Sequence, residues 1–355
     1  MAKQTWVNIS GTWRKVVSAW SNVNGTWKKD VMPKGIVSGS WKEFMQYVLS
    51  YVTRVWEEDA MRSGHEDVIV DGLSNVYVIT DYGTYIQKYD PNGSLVWSVL
   101  SNDVYGIAGD DFSSLAEHKS APSNYFYVGG ESGAFRIDAT SGSSVNENTD
   151  SSYLDVTEII QDPVSNDVFV ATFRSSSTRI ERWNEDFSSS VWFRNLSHSD
   201  MITSMHYDDI NDLLFLGDNG GRLTKINAGN GGIAWEEVVG SSVFGVASDA
   251  NGNSYCLISS DDIIQKDTDG NTISTTDMSS LNPYGMEGKM ESGSLYLYVN
   301  GFNNGIDKLD EELNIVWRNV GLSDADTECL YISDNYEIAV GSYYTAQKVG
   351  LLEQY

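Results

Sequence analysis

The sequence predicts an all-β chain: a seven-bladed β-propeller closed by an N-terminal strand and preceded by a small β-hairpin repeat module. Three observations carry this. First, a short strand with one basic residue recurs as Y-I-Q-K-Y-D, A-F-R-I-D, I-E-R-W-N, L-T-K-I-N, I-I-Q-K-D, I-D-K-L-D and A-Q-K-V. It places Lys88, Arg136, Arg182, Lys225, Lys266, Lys308 and Lys348 at steps of 48, 46, 43, 41, 42 and 40 residues. Several short strands in a period of that length mark a propeller. Second, apolar runs are short and alternating, and almost nothing repeats at the helical period. Third, a different repeat of 14 residues fills the first 45 positions.

That first segment, residues 1–45, reads W-V-N-I-S-G-T-W, then S-N-V-N-G-T-W, then G-I-V-S-G-S-W. Each unit is a strand, a tight turn at Ser10-Gly11, Asn24-Gly25 or Ser38-Gly39, and a strand opening on Thr/Ser-Trp. Asn-Gly between alternating strands favours a hairpin because both central residues need positive φ. Five of the 11 tryptophans lie here: Trp6, Trp13, Trp20, Trp27 and Trp41. Isolated hairpins have too little core to bury them, so these residues are expected to dock on a partner protein or on another copy of the chain. An N-terminal extension packed on the propeller is the plainer alternative.

Residues 46–355 form the second predicted domain. Trp97, Trp192, Trp235 and Trp317 follow the basic strand by nine or ten residues and mark a fourth, outer strand. Trp56 has the same surroundings with no blade before it, while only seven residues follow Lys348. Strand 52–58 is therefore expected to complete the last blade, which also removes an exposed edge. First strands are expected to end at Asp71, Asp110, Asp162, Asp208, Asp249 and Asp334, with a divergent Y-G-M-E-G-K in the sixth blade. Second strands are nearly continuous in apolar and aromatic residues, as for strands packed on both faces.

Net charge is −27. Residues 1–45 carry a balance of +5 and the remainder −32. So acidic a body repels phosphate backbones and anionic lipid, so neither nucleic acid nor membrane is an expected partner. No run approaches membrane-spanning length, and the N-terminus lacks the apolar core of a secretion signal. Cys256 and Cys329 are far apart and read as small buried hydrophobes.

Candidate chemistry is sparse. The repeated turn Asp suits an Asx turn, and D-A-N-G-N and D-T-D-G-N lack the closing glutamate of a calcium loop. The repeated Lys/Arg is expected to pack its stem between blades while its charge meets a carboxylate or carbonyl of the next blade. His65, His118, His198 and His206 show no ligand spacing. No catalytic, cofactor or metal residues are expected, although the many carboxylates leave a glycosidase pair open. The second-to-third strand turns and the blade connections offer a candidate ligand face. It comprises Asp81, Tyr82, Asn219, Phe302, Asn303, Tyr343 and Tyr344, with Arg174, Asp218, Asp261, His198 and Asp200 nearby. Rings beside amides and carboxylates suit sugars or a protein epitope; plain solvated turns are the alternative.

Through the basic-strand and Trp pattern, residues 52–350 resemble quinoprotein-like and WD-repeat propellers. The paired cysteines and calcium set of quinone-dependent dehydrogenases are missing. The W-V-N-I-S-G-T-W-R-K and W-S-N-V-N-G-T-W-K-K repeats, about residues 5–42, resemble segments of tailed-bacteriophage virion structural proteins, especially tail fibres and appendages. That resemblance implies a non-enzymatic virion protein, assembled in the host cytoplasm. Residues 1–45 would hold other tail proteins and a homo-oligomer together, and the propeller would face a host-surface glycan or protein. A soluble lectin-like or scaffold propeller is the alternative, ahead of a propeller enzyme.

Overall fold

A computed structural model describes residues 66–104, 111–148, 155–174, 177–301, 305–317 and 329–341 with their side chains. It describes only the backbone of residue 105, of residues 318–320 and 348–354, and of strands lying between residues 6 and 59. The chain divides into two units, Met1–Tyr51 and Val52–Tyr355. The boundary falls beyond residue 45 because Val52 already belongs to a strand of the second unit.

The first unit holds three two-stranded hairpins: Trp6–Ile9 with Thr12–Lys15, Ala19–Val23 with Thr26–Asp30, and Lys34–Val37 with Ser40–Glu43. Their registers repeat, with Asn8 opposite Trp13, Asn22 opposite Trp27 and Ile36 opposite Trp41. The predicted docking side chains of Trp6, Trp13, Trp20, Trp27 and Trp41 lie outside the described residues.

The second unit is all-β with a β-propeller arrangement. Six four-stranded antiparallel blades use consecutive strands: blade 1 (68–100), blade 2 (112–148), blade 3 (155–195), blade 4 (202–238), blade 5 (243–277) and blade 6 (283–320). A further four-stranded sheet is composite: Cys329–Ile332, Glu337–Gly341, Lys348–Gln354 and then Val52–Asp59. The only helix among the described residues, Ser101–Tyr105, links blades 1 and 2.

Core lies between sheets, which explains the apolar second strands. Ile69, Tyr77 and Ile79 of blade 1 pack with Phe126, Val128 and Phe135 of blade 2. Val68, Val76 and Val78 pack with Cys329 and Ala339 of the composite sheet on the other side. Cys256 and Cys329 are buried and free, and burial pushes the Cys256 thiol up to about 12. Close approach requires glycine at two second strands. A Cβ on Gly129 would lie 2.3 Å from Val156 Cγ1, and one on Gly217 would lie 2.3 Å from Val243 Cγ1.

The basic strand residue tethers neighbouring blades. Lys88 Nζ and Trp97 Nε1 both donate to the Ala139 carbonyl, at 2.8 and 3.3 Å. Arg182 and Trp192 share the Ala228 carbonyl at 2.9 and 2.8 Å, and Lys225 and Trp235 share that of Thr268 at 3.1 and 3.0 Å. Each basic residue stands opposite its tryptophan in the register, so two strands reach one acceptor. The cation also lies over the aromatic ring of the second strand, 5.0 Å for Lys88 on Tyr77 and 5.6 Å for Lys225 on Phe215. Burial lowers the pKa of Lys88, Lys225 and Lys308. Arg136 pairs with Glu185 of blade 3, whereas Lys266 and Lys308, against the expectation of an acceptor on the next blade, bond Gly270 and Glu291 within their own; the Lys348 side chain lies outside the described residues.

Three details depart from the sequence reading. The first strand of blade 2 is Phe112–Glu117, beyond the expected run to Asp110. There His118 Nδ1 replaces the turn aspartate and accepts the Ala121 N–H at 3.2 Å. In the composite sheet Ser333, not Asp334, holds the turn, its Oγ accepting the Glu337 N–H at 3.0 Å, as Asp71 Oδ1 accepts that of Asn75 at 2.9 Å. In the same sheet Leu351, not Lys348, stands opposite both Ala339 and Trp56; Lys348 faces Asp59. A one-residue shift of the turn and three of the strand are invisible to a pattern that tracks residue type alone.

Candidate functional site

Two places gather ionisable groups: the predicted turn face, and the cavity between the first strands. On the turn face, Asp81 and Tyr82 sit at positive φ, 58° and 57°, ahead of Gly83, and Tyr82 is exposed. Asn219 is a brace. Its Oδ1 accepts the Met201 N–H at 3.0 Å, its own N–H donates to the Met201 carbonyl at 2.9 Å, and its carbonyl accepts Ser242 Oγ at 2.8 Å. Phe302, Asn303, Tyr343 and Tyr344 lie outside the described residues, so the face is seen only in part.

Within that face the structure joins residues far apart in sequence. Asp218 ends the second strand of blade 4, and His198 and Asp200 lie on the connection entering that blade. His198 Nδ1 is 3.3 Å from Asp218 Oδ2 and 3.8 Å from Asp200 Oδ2, while Nε2 is 3.7 Å from Glu236 Oε2. The His198 side chain is 4% exposed and that of Asp218 1%. Asp218 Oδ1 accepts the Arg222 N–H at 2.8 Å. Arg222 also reaches Glu236 Oε1 at 3.3 Å and Asp200 Oδ2 at 3.9 Å. Burial raises the pKa of Asp218.

The first strands of all six blades and of the composite sheet surround a cavity of about 670 Å³. Its wall carries Asp67, Glu158 and Glu287. Asp67 is held by backbone, Oδ1 by the Val68 N–H at 2.7 Å and Oδ2 by that of Leu115 at 2.6 Å. Desolvation pushes Asp67 up to about 7 and Glu287 up to about 8, and raises Glu158 well above the ordinary carboxylate range. Mutual repulsion adds to it: Asp67 acts on both glutamates, and Glu287 also on Glu158. Elsewhere on the wall the cations are matched, Lys119 with Glu117 at 2.6 Å and Lys289 with Asp334. The cavity thus offers carboxyls that burial holds against ionisation, beside paired charges, a polar lining suited to water, hydroxyls or a cation.

Against known proteins, this chain matches no family model and no curated sequence.

The sequence placed His198, Asp200 and Asp218 beside the turn face without joining them, and gave no sign of the cavity carboxyls. Asp67, Glu158 and Glu287 belong to three different blades and share no motif. The His198 cluster did carry a signal. H-S-D at 198–200 precedes the first strand of blade 4 and Asp218 closes its second, and a hairpin returns one end to the other. The four-residue spacing of Asp249 to Asn253 and Asp267 to Asn271 is satisfied locally. In both, Asp Oδ1 accepts the Asn N–H, at 2.9 and 2.8 Å, and Oδ2 accepts the Asn side-chain amide, at 2.8 and 2.9 Å. These two segments are turns.

Proposed function

We propose that this chain is a non-enzymatic virion structural or appendage protein. Its N-terminal unit attaches to the particle, and its propeller is displayed for host or glycan recognition. The observation that carries this reading is the three hairpins of one repeating register in a unit of their own, basic where the propeller is acidic. Such a segment suits repeated docking contacts with other tail proteins or with copies of itself. In this reading the composite sheet is the seventh blade and closes the ring; its packing against blade 1 supports that role. Deleting residues 1–51 is expected to abolish incorporation into particles while the far-UV circular dichroism of the propeller persists. Particles that still incorporate the truncated chain would sink the proposal.

The self-contained second unit favours one other reading, a soluble lectin-like or scaffold propeller with no particle. Glycan-array binding that is indifferent to the same truncation, with no particle association by the full chain, selects it.

A further inference from the structure

We propose that His198, Asp200 and Asp218 bind one divalent transition cation of the zinc class, with Glu236 orienting the imidazole. The three ligand atoms lie within 4.8 Å of one another. A tetrahedral ion with bonds of about 2.0–2.2 Å separates its ligand atoms by roughly 3.3–3.6 Å. The Nδ1 to Oδ2 distances of 3.3 Å to Asp218 and 3.8 Å to Asp200 meet that span with little movement.

A second observation points to a ligand rather than to a simple ion pair. Both ring nitrogens of His198 are buried without a hydrogen bond, and so is Asp218 Oδ2. A protonated imidazole held by these carboxylates would direct its N–H groups at them and form hydrogen bonds. Here Nδ1 and Asp218 Oδ2 stand 3.3 Å apart without forming one. Buried polar atoms in this condition call for an explanation, and an ion bound between Nδ1 and Oδ2 supplies it for those two.

The surroundings are those of a metal-bound histidine. Such an imidazole gives its other N–H to a carboxylate, which fixes the tautomer; Glu236 Oε2, 3.7 Å from Nε2 and not hydrogen-bonded to it here, is the carboxylate that binding would draw into that place. Ser197 Oγ donates to the other oxygen of Glu236 at 3.3 Å, and Arg222 holds that same oxygen. Asp218 spends Oδ1 on the Arg222 backbone, which leaves Oδ2 for the ion. Gly220 admits the Asp200 carboxylate, since a Cβ there would lie 2.4 Å from it. One imidazole with two carboxylates suits zinc or a neighbouring transition ion better than calcium, which takes six to eight oxygens. Asp200 is partly exposed and leaves a route for entry.

Titration calorimetry of the full chain with Zn²⁺ in excess Mg²⁺ tests this. One ion per chain is expected, and Co²⁺ in its place should give the visible absorption of a tetrahedral site. His198→Gln and Asp200→Asn are expected to abolish both signals. Glu236→Gln should weaken binding about 10- to 100-fold. Asp269→Asn, exposed in blade 5, should change neither. Asp218→Asn should abolish both as well; if it fails to fold, His198→Gln and Asp200→Asn decide the matter, with circular dichroism as the check on each. No saturable binding by the wild-type chain, or binding that survives both His198→Gln and Asp200→Asn, overturns the proposal and leaves a buried ion-pair network.

Discussion

Lys225 shows how a charge is kept inside a protein. Its side chain is 6% exposed, its stem is buried between blades, and its ammonium meets a carbonyl and an aromatic face. Lys225→Met keeps the stem and removes the charge-assisted bond, so a loss of about 1.5–3 kcal/mol is expected. Urea unfolding measures it, and an unchanged midpoint would refute the tether. The same residues show what a sequence can reveal. A basic residue every 40 to 48 positions was legible because the repeat is local to one strand. That it shares its acceptor with the outer-strand tryptophan was not, because the acceptor belongs to another blade. Leu351 was illegible for a related reason: only strand pairing shows that it, and not Lys348, occupies the tether position.

At the scale of the element, blades 2 and 3, and blades 4 and 5, meet through a glycine on one side and a valine on the other. Gly217→Ala forces a methyl against Val243 and should destabilise the chain by about 1–3 kcal/mol. Adding Val243→Ala removes the closest contact, Cγ1 at 2.3 Å, and leaves that of its Cβ at 2.7 Å, so the clash is relieved in part and the double variant is expected to lose less than the two single losses combined. Strict additivity in a double-mutant cycle would show that the two side chains do not meet. Strand identity was mostly readable from alternation and from turn aspartates. It failed at the start of blade 2, where His118 does the work of aspartate, and at Ser333, where a hydroxyl does. Turn geometry asks for an acceptor at a given reach, which several residue types provide. The His198 cluster needed the hairpin of blade 4 to bring its members together.

For the whole molecule, the central cavity ties stability to pH. Asp67, Glu158 and Glu287 have folded-state pKa values raised above those of the unfolded chain. At these three groups the native state therefore binds more protons than the unfolded one up to about pH 8, while His118 and His206, lowered by burial from 6.5, act in the opposite sense below about pH 6.5. The carboxyls' contribution is fully present below the ordinary carboxylate range and is lost as pH rises through the raised values. The melting temperature is expected to fall between about pH 6.5 and pH 8, where the histidines no longer offset the carboxyls, and Glu287→Gln to flatten the fall. A melting temperature that climbs from pH 6.5 to pH 8 in the wild type, unaltered in the variant, would refute the assignment. The composite sheet adds a consequence of timing. Val52–Asp59 leaves the ribosome long before its partner Lys348–Gln354. At the usual pace of translation that delay is on the order of half a minute. Throughout it the early strand is an unpaired edge, open to the nascent chains of neighbouring ribosomes.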